Sequence, residues 1–258
     1  MKRNVILALL LVVFAFSSIS DAQRRRRRPR HQRTTTTATT GAGTVNVPCP
    51  SPLNSIQDCP DTGCGNLDPN LNKQKNIRTD SGTSTDKDFQ DLAALPDPVA
   101  GLAEGDTREK LTALGEGTMI RVVAFALDAR KGSKETCNCG LRGAADTDNH
   151  IVLVDPTSTS PSLADEPDSQ TAEFSPRVRL DHPRLAGARL KALITAAPNQ
   201  ALLVRVTGLQ MFDSYHSLHA HLKRHNNWEI HPVFGLEYCP RNKTCTAGSD
   251  ANWKNLEQ

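Results

Sequence analysis

The chain has little of what usually announces a function. Aromatic side chains make up only 4% of its 258 residues, which argues against a surface that stacks bases or sugar rings, since such platforms need several exposed rings. After residue 16 no apolar run approaches the roughly 20 residues of a transmembrane helix. Neither a sustained heptad nor a Gly-X-Y period occurs, so a membrane-spanning helix, a coiled coil and a collagen-like chain are excluded. There is no H-E-x-x-H, no C-x2-C pair and no nucleophile elbow, which removes the commonest zinc-protease, zinc-ribbon and serine-hydrolase signatures. No internal repeat is visible.

What is present is organised by charge. Lys2 and Arg3 precede an apolar run over 5–16, and Ser20-Asp21-Ala22 supplies small residues before Gln23. This pattern predicts a secretory signal peptide over 1–22 and hence a secreted or periplasmic protein. No Cys follows the cleavage site, so no lipid anchor is expected. Residues 23–48 then carry Arg24, Arg25, Arg26, Arg27, Arg28, Arg30 and Arg33 with no acid, followed by a Thr-rich stretch. This Arg/Thr-rich segment reads as a disordered tail, with polyanion contact as its sharper reading. The rest of the chain carries an excess of acid, so the overall charge of +3 belongs to the tail.

The seven cysteines, Cys49, Cys59, Cys64, Cys137, Cys139, Cys239 and Cys245, imply disulfides in an exported chain, with one thiol left over. Cys239 and Cys245 suit a local staple. Cys137 and Cys139 are too close to pair with each other, so each reaches a distant partner. Zinc binding by those two is the alternative.

Residues 49–116 read as an acidic, irregular lead-in. From Gly117 the pattern sharpens. Strands are expected over 119–127, 150–154, 171–180, 201–212 and 228–238, with a helix from Ala186 to Ala197 between the third and fourth. Asp181 is its expected cap, Pro183 its first turn and Pro198 its end. Gly208 marks a bulge or barrel corner inside the fourth strand. The order β-β-β-α-β-β is that of a five-stranded OB-like Greek-key barrel, here over 117–245, with 246–258 as a C-terminal tail.

OB barrels bind on the outer face of strands 2 and 3, beside the loops joining strands 1–2 and 4–5. That face would gather Asp148, His150, Glu173, Arg177, Glu229 and His231. The last of those loops adds His216, with His219, His221 and His225 nearby. Carboxylates with neutral imidazoles suit zinc or a similar divalent metal. Arg177, Arg179, Lys223 and Arg224 instead suit a polyanion or saccharide. A solvated loop without a ligand is the third reading. No nucleophile accompanies these residues.

The segments Cys64-Gly-Asn-Leu-Asp-Pro-Asn-Leu-Asn-Lys-Gln-Lys-Asn76, Thr136-Cys-Asn-Cys139, Asp148-Asn-His-Ile151, Glu173-Phe-Ser-Pro-Arg177, Val204-Arg-Val-Thr-Gly208 and Trp228-Glu-Ile-His-Pro-Val233 occur in this order. Together they resemble a family of uncharacterised exported bacterial proteins, over about residues 59–238. A second exported bacterial group is similar in its D-x-H and E-x-H-P strands, here Asp148, His150, Glu229 and His231. These resemblances imply export and a shared site, not a reaction. The expectation is a secreted OB-like module for an unknown ligand. A divalent-metal-dependent hydrolase, acting on phosphodiesters for example, and a structural envelope-associated protein are the alternatives. A staphylococcal-nuclease-like enzyme shares the barrel, but its acidic and arginine constellation is not matched here.

Overall fold

A computed structural model describes residues 45–80, 82–96, 98, 108–215 and 223–258. The signal segment, the arginine tail and His216, His219 and His221 lie outside these described residues. The lead-in is more regular than its composition suggests. Strands β1 (Val45–Val47) and β2 (Gly65–Leu67) pair antiparallel. Helix α1 (Pro69–Lys75) follows, because Asp68 accepts from the Asn70 and Leu71 amides and Pro69 presets the first turn. Strand β3 (Thr85–Asp86) and the short helices α2 (Phe89–Ala93) and α3 (Glu109–Thr112) complete it. Phe89, Leu92 and Leu111 are buried in the same apolar core as the barrel strands, and β3 pairs parallel with the first of those strands. The lead-in and the barrel therefore pack as one compact unit, where the sequence suggested an irregular preface.

The barrel begins with β4 (Met119–Lys131), which runs past the expected end at residue 127. Its alternation is one-sided. Ile120, Val122, Ala124 and Ala126 are buried, while Arg121, Val123 and Phe125 are half-buried, so the strand is not sealed on both faces. Its first part pairs with β7 (Leu202–Phe212) and its second with β5 (Asn149–Val154), across a register shift between Ala126 and Asp128. One bent strand thus serves two neighbours, which is how a small sheet closes. β5 pairs with β6 (Gln170–Phe174), β6 lies parallel to β8 (Trp228–Tyr238), and β8 returns to β7. The result is a closed, mixed, five-stranded OB-like barrel, as the element order implied.

Two boundaries differ from the sequence reading. The third strand stops at Phe174 instead of 180, because Pro176 supplies no ladder donor; Val178 and Leu180 fall on α4 (Val178–Asp181) instead. The following helix, α5 (Gly187–Ala196), starts later than expected. The carboxylate of Asp181 is committed to Arg78, and Asn149 Oδ1 receives the Gly187 amide at 2.8 Å. Gly208 does sit at irregular register between β7 and β8, where a Cβ would lie 2.5 Å from the Pro232 carbonyl oxygen. The C-terminal residues are no loose tail. β9 (Lys254–Asn255) pairs with β8, Leu256 is buried, and the Arg205 guanidinium lies 5.1 Å from the Trp253 ring centroid.

Three disulfides form: Cys49–Cys64, Cys59–Cys139 and Cys239–Cys245. The last is the local staple expected from spacing. Cys137 is the leftover thiol and is buried. With Cys139 bonded to Cys59, the Cys137–Cys139 zinc pair is ruled out.

Candidate functional site

The strand pattern brings the polar residues together by parity. Asp148 just precedes β5 and His150 lies on it. His150 is opposite Glu173 on β6, and Glu229 on β8 is opposite Thr171. Their neighbours Ile151, Ala172, Phe174, Trp228 and Ile230 point into the core. The polar set therefore projects from the outer face of the barrel. That face is nevertheless roofed. Lys75 at the end of α1, the loop between β4 and β5 with Glu135 and Asn138, and Arg224 before β8 close over it. Asp148, Glu173, Glu229 and His231 are each at most 3% exposed.

Asp148, Glu229 and Glu135 are each held by one oxygen and aim the other inward. Asp148 Oδ2 accepts from Asn138 Nδ2 at 2.6 Å, while Oδ1 lies 3.6 Å from His231 Nε2. Glu229 Oε1 is bound by Arg224, while Oε2 lies 3.6 Å from His231 Nδ1. Glu135 Oε2 accepts from Lys75 Nζ at 2.8 Å and from the Cys137 thiol at 3.5 Å, while Oε1 lies 3.9 Å from His150 Nε2. Glu173 is shared, with Oε2 3.3 Å from His231 Nδ1 and Oε1 3.4 Å from His150 Nε2. None of these histidine approaches has hydrogen-bond geometry. Both ring nitrogens of the fully buried His231 lack a hydrogen-bond partner among the described residues, as do His150 Nε2, Glu173 Oε2 and Glu229 Oε2.

Among the described residues, Lys75 pairs with Glu135 and Asp213, and Arg224 with Asp213 and Glu229. Burial, reinforced by Glu229, Asp148 and Glu135, pushes the Glu173 carboxyl well above the ordinary range. Burial and then Glu135 raise Asp148. Burial acts the same way on Glu135, but Lys75 overcomes it and holds that group at about 2. Burial is also the largest influence at Glu229 and raises it, but Arg224, His231 and Lys75 together lower the group. The raised Glu173 and Asp148 carboxyls are those that burial drives toward the protonated form.

Two sets of residues bring one ligand atom each to within 4.8 Å of one another: Asp148, Glu173 and His231, fully buried, and Glu135, His150 and Glu173. Glu135, Cys137 and Asp148 form a third such group, but the Lys75 ammonium already bonds the same Glu135 oxygen that the thiol meets. The second set opens on a cleft of about 480 Å³ whose lining includes Arg130, Ser133, Ser169, Thr171 and Lys223.

Arg177 does not join this centre. It donates to the Cys59 and Pro60 carbonyls at 2.7 and 2.8 Å and pairs with Asp61, bracing the lead-in. Arg179 donates to the carbonyls of Ala144, Ala145 and Thr147. The polyanion surface expected from Arg177, Arg179, Lys223 and Arg224 is therefore largely consumed by internal bonds; of the four, Lys223 is exposed. Sequence reasoning missed Lys75, Glu135 and Asn138. A signal for Lys75 was present, since Asp68-Pro69 starts a helix whose last turn carries it.

No family model and no curated protein matches this chain. Among solved structures, Entamoeba histolytica asparaginyl-tRNA synthetase in complex with asparaginyl-adenylate aligns at 11% identity with a TM-score of 0.29. That alignment covers 66% of this chain and 28% of the synthetase, so the chain spans well under half of that protein's length.

Proposed function

We propose that this chain is an exported OB-like module that binds a divalent cation between Asp148, Glu173 and His231. One observation carries the reading. A fully buried imidazole has both nitrogens without a hydrogen bond and 3.3 to 3.6 Å from carboxylate oxygens. Hydrogen bonds would draw these atoms to about 2.7–3.0 Å. Ligand atoms about 2.1 Å from a tetrahedral zinc stand about 3.4 Å apart. An imidazole gives one nitrogen to an ion, so the matching spacing is either the 3.6 Å from Nε2 to Asp148 Oδ1 or the 3.3 Å from Nδ1 to Glu173 Oε2, with the remaining ligand atom within 4.8 Å. The 2.6 Å bond from Asn138 to Asp148 Oδ2 supplies the outer support that fixes a metal-ligating carboxylate. The three disulfides suit an oxidising compartment, in keeping with export.

The test is calorimetric titration of the metal-stripped chain with Zn²⁺ and Mn²⁺, beside the His231→Ala variant. The expected result is saturable binding with a thermal shift; an ion present at a hundred times its Kd adds about 2.7 kcal/mol of stability. Absence of binding, with NMR showing a protonated His231 ring, would remove the reading.

A further inference from the structure

The cluster holds two ligand sets with a single residue in common. Glu173 directs Oε2 toward His231 and Oε1 toward His150. A carboxylate that binds one ion per oxygen holds the pair about 3.5–4 Å apart, the spacing of two-metal sites. We propose that the site takes two divalent ions bridged by Glu173, and that the outer ion offers an open position to an anionic oxygen ligand of the phosphate class. This rests on the cation-binding reading above.

The two positions differ in what surrounds them. The inner one, at Asp148 and His231, is sealed. The outer one, at Glu135 and His150, meets the cleft through an imidazole side chain that is 38% exposed. Three protein ligands leave a fourth tetrahedral position free, the arrangement that separates reactive zinc sites from structural ones. Along the cleft, Lys223, Ser133 and Thr171 supply a cation and hydroxyls, groups that recognise oxyanions, while Arg130 is tied to Asp128 and Glu166.

The experiment strips the full chain with chelator, reloads it with Zn²⁺, removes free metal and counts ions per chain by elemental analysis. Mn²⁺-loaded samples are examined by EPR for exchange coupling, and inorganic phosphate binding is titrated in parallel. The expected result is two ions per wild-type chain with coupled Mn²⁺, falling to one uncoupled ion in His150→Ala. Phosphate affinity should fall at least about tenfold with the outer ligand removed. A Glu173→Gln variant, which keeps the side-chain shape, should also lose the coupling. One ion per wild-type chain overturns the two-ion centre and leaves the cation site standing; none removes both. Two ions with phosphate binding unchanged in His150→Ala overturns the ligand assignment.

Discussion

His231 and Asn138 carry the account at the scale of single residues. Asn138 touches the site only through Asp148, by its 2.6 Å bond to Oδ2. Asn138→Ala should leave the fold intact and weaken metal binding by about 10- to 100-fold, read by calorimetry. Lys75 is different, because its ammonium is buried between Glu135 and Asp213. Lys75→Met removes the 2.8 Å partner of the Glu135 carboxylate and should cost about 3–5 kcal/mol in the metal-free chain, measured by urea unfolding. Cys137 sits beside Glu135, and burial, with Glu135 and Asp148, pushes its thiol well above the ordinary range. A thiol reagent should therefore label nothing in the folded chain and one cysteine per chain once urea unfolds it; fast labelling of the native protein would contradict the burial. Cys137 as the leftover thiol was not decidable from sequence, since spacing says nothing about which of seven cysteines the fold leaves without a partner.

Elements decide whether these residues meet. Parity along β5, β6 and β8 made Asp148, His150, Glu173, Glu229 and His231 readable in advance, because a two-residue period fixes the face once the core residues are known. The roof was not readable. Lys75 reaches the site through α1 and Glu135 through a loop, and no periodicity in either encodes its contacts there. Cys59–Cys139 ties the lead-in to that loop across a separation of 80 residues. Replacing both by Ser should cost about 2–5 kcal/mol and should weaken metal binding as well, since the loop also carries Glu135 and Asn138. Gly208 was legible as a barrel corner, and the close approach of Pro232, Ile230 and Val233 explains why it lacks a side chain. Gly208→Ala should destabilise by about 1–3 kcal/mol through a shift in the β7–β8 register.

For the whole molecule, the barrel order was legible because five strands and one helix in this sequence admit few closed solutions. The part played by the lead-in was hidden by its acidic, Pro- and Gly-rich composition. Few apolar residues are present there, yet Phe89, Leu92 and Leu111 enter the common core, each worth about 1.5–3 kcal/mol of burial. The fold thus places an acidic outer face beneath a cover of α1, the β4–β5 loop and the segment before β8, and we read the buried carboxylates and imidazoles gathered there as a cation site. Diffraction from crystals grown with Zn²⁺, recorded at the zinc absorption edge, tests that claim most directly. The account predicts an anomalous peak about 2.1 Å from ligand atoms of Asp148, Glu173 and His231. A structure with no peak there, and with His231 drawn into ordinary hydrogen bonds with its carboxylates, would contradict it.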